Sequence, residues 1–260
     1  MPEVERDDAV LHVELEGQDE PVTVFAHGLM NSCRELAALT PALPGTRVRF
    51  CFRGHGHSSA PGPDRYRWED LAGDLAAVAD AYGATRAVGT SMGAAALCRL
   101  LVDTPDRFER LVFLLPAALD REGIHSGRYF EIADILERLP PSEAGATIMA
   151  LPERRAVYEH APWVRDLDAA LWAEVNPEGV ARAIRGIVGR PPLRDASVLR
   201  RVAAPSLVVA RDGDTIHPAG VAEELVRLLP HAELLLFADE LDMYARLPEA
   251  VQRSVALLAG

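Results

Sequence analysis

Lysine is absent from this 260-residue chain, and all 27 of its cationic side chains are arginines. Without a lysine amine, Schiff-base catalysis and a lysine-bound pyridoxal cofactor are excluded. Positive charge is also outweighed. The 39 Asp and Glu residues leave a net charge of −12, which disfavours nucleic acid and anionic membrane surfaces as partners. Cysteine is scarce. Cys33, Cys51 and Cys98 are an odd number and lack the close pairing of zinc ligands in sequence, so no disulfide framework, metal site or cofactor is expected, and a reducing compartment is implied. No run approaches the ~20 apolar residues of a membrane span. The segment from Met1 to Asp8 carries four acidic residues and no apolar stretch of signal-peptide length. These features lead to the expectation of a cytoplasmic protein. Hydrophobic residues make up 49% of the chain, enough for a single large core or a core that carries an insertion.

Short apolar runs of strand length occur at Val22 to Ala26, Arg47 to Phe52, Arg86 to Gly89, Leu111 to Leu115, Ser206 to Ala210 and Glu233 to Phe237. Continuous rather than alternating apolar character marks strands covered on both faces, as in a parallel sheet. Helical patterning fills Cys33 to Leu43, Trp68 to Tyr82, Met92 to Asp103, Ala219 to Leu229 and Pro248 to Leu258. The alternation predicts an α/β fold with a mostly parallel, doubly wound sheet flanked by helices, and a working crevice at the C-terminal ends of the strands. His12 to Leu15 is expected to add an antiparallel edge. From residue 116 to 195 the alternation stops, leaving helical patterning and repeated prolines. A structureless loop of that length is improbable, so a helical cap over 116–195 is expected on a core formed by 1–115 and 196–260. Most of its apolar residues, among them Tyr129, Ile132, Leu136, Ile148 and Trp163, should hold the cap together, and a few should line an apolar pocket.

The most informative stretch is Gly89-Thr90-Ser91-Met92-Gly93, where an apolar run ends and an alanine-rich helical run begins. A strand turning sharply into a helix leaves Ser91 exposed at the apex, and the flanking glycines, Gly89 and Gly93, remove side chains that would collide. The helix starting at Met92 directs free N–H groups toward the place where an oxyanion would form. By chance alone the Gly-x-Ser-x-Gly pattern would arise about 0.1 times in a chain of this length, so its neighbours decide. His27-Gly28-Leu29-Met30 follows the run Val22 to Ala26, where an oxyanion loop belongs. The backbone N–H groups of Leu29 and Met92 are the candidate donors. His27 and Gly28 read as structural support for that loop. A second glycine-rich turn, Arg53-Gly54-His55-Gly56-His57-Ser58, supplies Arg and His side chains that can brace neighbouring loops.

With these three motifs in order and register, the chain from about Val22 onward resembles the α/β-hydrolases. That resemblance implies that Ser91 is the nucleophile and that the acid follows a later strand, four residues before a proline. In Asp212-Gly-Asp214-Thr-Ile-His217-Pro218 this maps the acid onto Asp214, with Asp212 the weaker choice. The family's catalytic histidine usually stands about seven residues before a proline that opens the last helix. Counting back from Pro248 gives Leu241, and no histidine follows His231. His231 precedes the last strand, at the opposite end of the sheet from Ser91.

A serine hydroxyl without a base is a poor nucleophile. His217 lies three residues after Asp214 in a loop at the working face and is the leading relocated base. His125 and His160, in the expected cap, are further candidates, and Asp239, Glu240 and Asp242 flank the vacated position as weak carboxylate bases. Three functions stay open: a serine hydrolase acting on an ester, thioester or lactone of a hydrophobic small molecule; a non-hydrolytic lyase, cyclase or isomerase using the same pocket; and a small-molecule-binding protein without turnover. The expected partner in each is a hydrophobic small molecule, and the sequence is silent on oligomeric state.

Overall fold

A computed structural model of the protein describes residues 2–37, 40–121 and 126–260. Its strands are β1 (Glu3–Arg6), β2 (Ala9–Glu16), β3 (Val22–Ala26), β4 (Thr46–Phe50), β5 (Arg86–Thr90), β6 (Arg110–Leu114), β7 (Ser206–Arg211) and β8 (Ala232–Phe237). They form one eight-stranded sheet in the order β1-β2-β4-β3-β5-β6-β7-β8. β1 and β2 pair antiparallel, β2 pairs antiparallel with β4, and the strands from β4 to β8 run parallel. The order reverses around β3 and places β5 near the centre of the sheet. Every residue of β3 and β5 is buried, the physical basis of their largely apolar, non-alternating character. β2 lies near the edge, and its second half alternates toward solvent. The expected α/β class and mostly parallel sheet are borne out.

Helices α1 (Trp68–Ala81), α2 (Met92–Asp103) and α8 (Ala219–Leu228) contribute Leu71, Leu75, Leu97, Leu101, Ala222 and Leu225 to the core on one face of the sheet. On the other face, Phe25, Val88, Val112 and Val209 pack with Ala250 and Leu258 of α10 (Leu247–Ala259). Between β6 and β7 run α3 (Ser126–Arg138), α4 (Pro141–Met149), α5 (Pro152–His160), α6 (Trp163–Glu174) and α7 (Pro177–Ile187). Ile132, Leu136 and Ile148 form a separate small core there with Val180 and Ile184. Among the described residues, no helix is long and apolar enough to cross a membrane.

One local expectation is corrected. Cys33 to Leu43 is not an α-helix over its described residues: Glu35 and Ala37 donate their N–H groups to Ser32 and Arg34 in successive turns, and a short 3₁₀ helix spans Thr40–Ala42 around Pro41. The polar groups of this segment are drawn to outside partners, Cys33 N–H to the Cys51 thiol at 3.4 Å and the Glu35 carboxylate to Gly28 N–H at 2.6 Å. Leu36 and Leu43 still bury against the sheet, which accounts for the apolar periodicity. The segment after β8 holds a short helix, α9 (Glu240–Ala245), capped by the Asp239 side chain accepting from Asp242 N–H at 2.8 Å.

Candidate active site

Ser91 stands between the last residue of β5 and the first of α2, with φ 49° and ψ −107°. Backbone strain of this kind costs about 1–3 kcal/mol and persists only where the surroundings over-determine it. Here they do. Ser91 N–H donates to Leu114 O at 2.9 Å across the neighbouring strand. A Cβ on Gly89 would lie 2.7 Å from Gly93 O, and one on Gly93 would overlap the Ala26 carbonyl oxygen and come within 2.9 Å of that of His27. The two glycines let helix, strand and oxyanion loop meet where a side chain would hold them apart.

The loop after β7 brings the other two groups. His217 Nε2 is 3.0 Å from Ser91 Oγ, and its Nδ1 is 3.0 Å from Asp214 Oδ2. Ionised Asp214 can only accept, so the proton belongs on Nδ1 and Nε2 faces the serine hydroxyl as an acceptor. Asp214 is held from several sides: its Oδ1 accepts the N–H groups of Ile216 at 2.8 Å and His217 at 3.0 Å, and its Oδ2 accepts Arg211 Nε–H at 2.8 Å. Burial opposes its charge, but the hydrogen bonds and charge of His217 outweigh it, with Arg211 assisting, and hold the carboxyl well below the usual range. The acid therefore stays ionised at neutral pH, with its side chain only 4% exposed.

The remaining base candidates are elsewhere or occupied. Leu241 is 59% exposed at the start of α9. Asp239 caps that helix, Glu240 pairs with Arg211 at 3.0 Å, and Asp242 accepts from Ala238 N–H and Arg246. His160 is exposed, its ring 2.8 Å from Ala156 O. Asp212 is exposed and accepts from Gly213 N–H. His231 meets the N-terminal end of β7, where its carbonyl accepts from Ser206 N–H. His125 lies outside the described residues.

Leu29 and Met92 flank the serine, and their N–H groups find no acceptor among the described residues. The loop carrying Leu29 turns through Met30, whose φ is 67°, and is braced from two sides. His27 Nδ1–H donates to Gly28 O at 2.7 Å while Nε2 accepts Phe52 N–H at 3.0 Å. Burial first, and then His55, lower the His27 pKa to about 3, so the imidazole braces as a neutral ring. In the second glycine-rich turn, buried Arg53 is clamped to Asp74 of α1 at 2.7 and 2.9 Å.

Glu35 is the member of this site that the sequence reading missed; its only signal was a lone acid within an otherwise apolar pattern. Its carboxylate holds Gly28 N–H at 2.6 Å and Asn31 Nδ2 at 2.9 Å. Burial raises its pKa to about 7, against the lowering effect of those two donors. An acid with a raised folded value holds its proton longer in the folded chain, so stability falls as pH rises from the unfolded value toward the folded one. Wild-type protein should therefore lose stability relative to Glu35→Gln between about pH 4.5 and 7. Tm measured for both across that interval checks this, and a difference independent of pH contradicts it.

Ser91 opens into a pocket of about 90 Å³ whose described lining includes Leu29, Trp68, Met92, Ala95, Tyr129 and Ile216. A larger groove of about 590 Å³ runs between Asn31 and Glu35 on one side and α5, α6 and α9 on the other, where the Trp163 and Tyr244 rings meet edge-on at 4.8 Å. Residues able to hold a cation lie away from this pocket, at His12, Glu14 and Cys33.

This fold and this elbow are those of a known class. The α/β-hydrolase-fold family model matches residues 21–243, and the chain belongs to that family. Among its relatives is the magnesium-chelatase 30 kDa subunit of Rhodobacter capsulatus, 29% identical over 227 residues, which cover 83% of this chain and 78% of that protein. Another is the pyrrolizixenacetamide deacetylase of Xenorhabdus hominickii, 27% identical over 241 residues, 90% of this chain and 88% of that one. The solved structure of a hydrolase from Pseudomonas aeruginosa superposes with a TM-score of 0.80 at 26% identity, covering 100% of this chain and 98% of the other.

Proposed function

We propose that the protein is a serine hydrolase that cleaves an ester, thioester or lactone of a small hydrophobic molecule through an acyl-enzyme on Ser91. The observation that carries this reading is the continuous contact Ser91–His217–Asp214, two links of 3.0 Å each. His217 Nε2 takes the hydroxyl proton as Ser91 Oγ attacks the substrate carbonyl, and Asp214 stabilises the imidazolium that results. The negative oxygen of the tetrahedral intermediate is received by Leu29 and Met92 N–H, each such donor contributing about 3 kcal/mol to lowering the barrier. On collapse, His217 protonates the leaving group. Water then enters and gives a proton to His217 as its oxygen attacks the acyl carbon, and His217 returns that proton to Ser91 Oγ as the acyl group leaves. The apolar lining of the Ser91 pocket suits the acyl portion of such a substrate.

An aryl fluorophosphonate tests this directly. One equivalent should label wild-type protein stoichiometrically at Ser91, and Ser91→Ala should take up none. Substrate turnover surviving in Ser91→Ala would move the protein to the non-hydrolytic class. Small-molecule binding without labelling would make it a binding protein.

A further inference from the structure

The pairing of β2 with β4 places Val13 opposite Phe50, and the next step of that register sets His12 against Cys51, whose N–H donates to His12 O at 3.0 Å. His12 and Glu14, two residues apart on one strand, project from the same face. The turn after β3 brings Cys33 onto that face, with its N–H 3.4 Å from the Cys51 sulfur. One donor atom each from His12, Glu14 and Cys33 lies within 4.8 Å of the other two.

The His12 imidazole is only 3% exposed, and its Nε2 has no hydrogen-bond partner. That nitrogen is 3.8 Å from Glu14 Oε1, too far for a hydrogen bond. An orphaned buried nitrogen beside a thiol and a carboxylate is costly in itself, and a bound cation would satisfy it. We propose that His12, Glu14 and Cys33 form a binding site for a divalent cation of the zinc type.

Thiolate and imidazole donors select such a cation over magnesium or calcium. Tetrahedral zinc, with bonds of 2.0–2.3 Å, sets neighbouring ligand atoms about 3.3–3.8 Å apart, so the cluster contracts by about an ångström on binding. Glu14 can serve through Oε1, because Oε2 is already held by Arg49 at 2.9 Å, which fixes the direction of the carboxylate. Glu14 is 29% exposed and opens the route from solvent. The bound cation would staple the turn that carries Glu35 to strand β2, so metal binding should stabilise the fold.

Cobalt(II) added to phosphine-reduced protein is the probe. Wild type should develop a thiolate–cobalt charge-transfer band that saturates at one equivalent and is displaced by zinc. Cys33→Ser should lose the band, His12→Gln should bind about tenfold to a hundredfold more weakly, and Cys98→Ala should match wild type. Zinc should also raise the Tm of wild type, a readout that stands if Cys33→Ser folds poorly. No band or no rise in wild type would overturn the proposal, as would a band that survives in Cys33→Ser. So would reduced protein that ignores cobalt but oxidises to a Cys33–Cys51 disulfide, which would make the pair a redox element.

Discussion

Alanine at His217 should lower kcat/KM at least about 10⁴-fold, the loss expected when a serine nucleophile is left without its base. In the proposed mechanism the side chain carries two functions at once, accepting the Ser91 proton and returning it to the leaving group, and no other group among the described residues hydrogen-bonds to Ser91 Oγ. Binding of a non-reactive substrate analogue should change little, because the apolar pocket wall is untouched. Most of the loss should therefore fall in kcat. Fluorophosphonate labelling should slow in parallel, since it depends on the same activated hydroxyl. Activity within tenfold of wild type in His217→Ala would show that the contact does not transfer the proton.

Valine at Gly93 should destabilise the whole domain. A Cβ there would overlap the carbonyl oxygen of Ala26 and crowd that of His27. Both are backbone atoms at the end of fully buried β3, so no flexible side chain can yield. Overpacking in a core costs about 1–3 kcal/mol even where side chains can adjust, against a total stability of about 5–15 kcal/mol. A fall in Tm of about 10 °C or more, or insoluble protein, is the expected outcome. Thermal melting decides it, and an unchanged Tm would mean that α2 does not approach β3 as closely as the elbow requires.

The central strands and the elbow were legible because their signals are local. Val22 to Ala26 and Arg86 to Gly89 are largely apolar since both faces are covered, and Ser91 needs its two glycines within a five-residue window. The proposed base was harder to place because its position is a matter of neighbouring loops. β7 and β8 are parallel partners, with Arg211 opposite Phe237, so the loops that leave their C-terminal ends open onto the same crevice. A histidine on either can reach the serine. Counting back from Pro248 leads to Leu241 in the segment after β8, which faces solvent, whereas the histidine that meets Ser91 stands on the loop after β7. Glu35 escaped for a different reason: its partner is a backbone N–H seven residues away, and backbone groups leave no trace in composition. Linear spacing also hid the proximity of Cys33 to Cys51, which depends on how the turn after β3 folds back over β4.

Asp214 and His217 belong to one short loop, and the carboxylate clasps the N–H groups of residues 216 and 217 while it holds the ring of His217. Acid and base thus travel as a single rigid cartridge. In a triad gathered from three loops, positional errors accumulate from three independent sources; here a single joint, between this cartridge and Ser91, sets the alignment. Warming or mild denaturant should loosen that joint while the Asp214–His217 distance stays constant. Inactivation before global melting would accordingly be abrupt and fully recoverable on cooling.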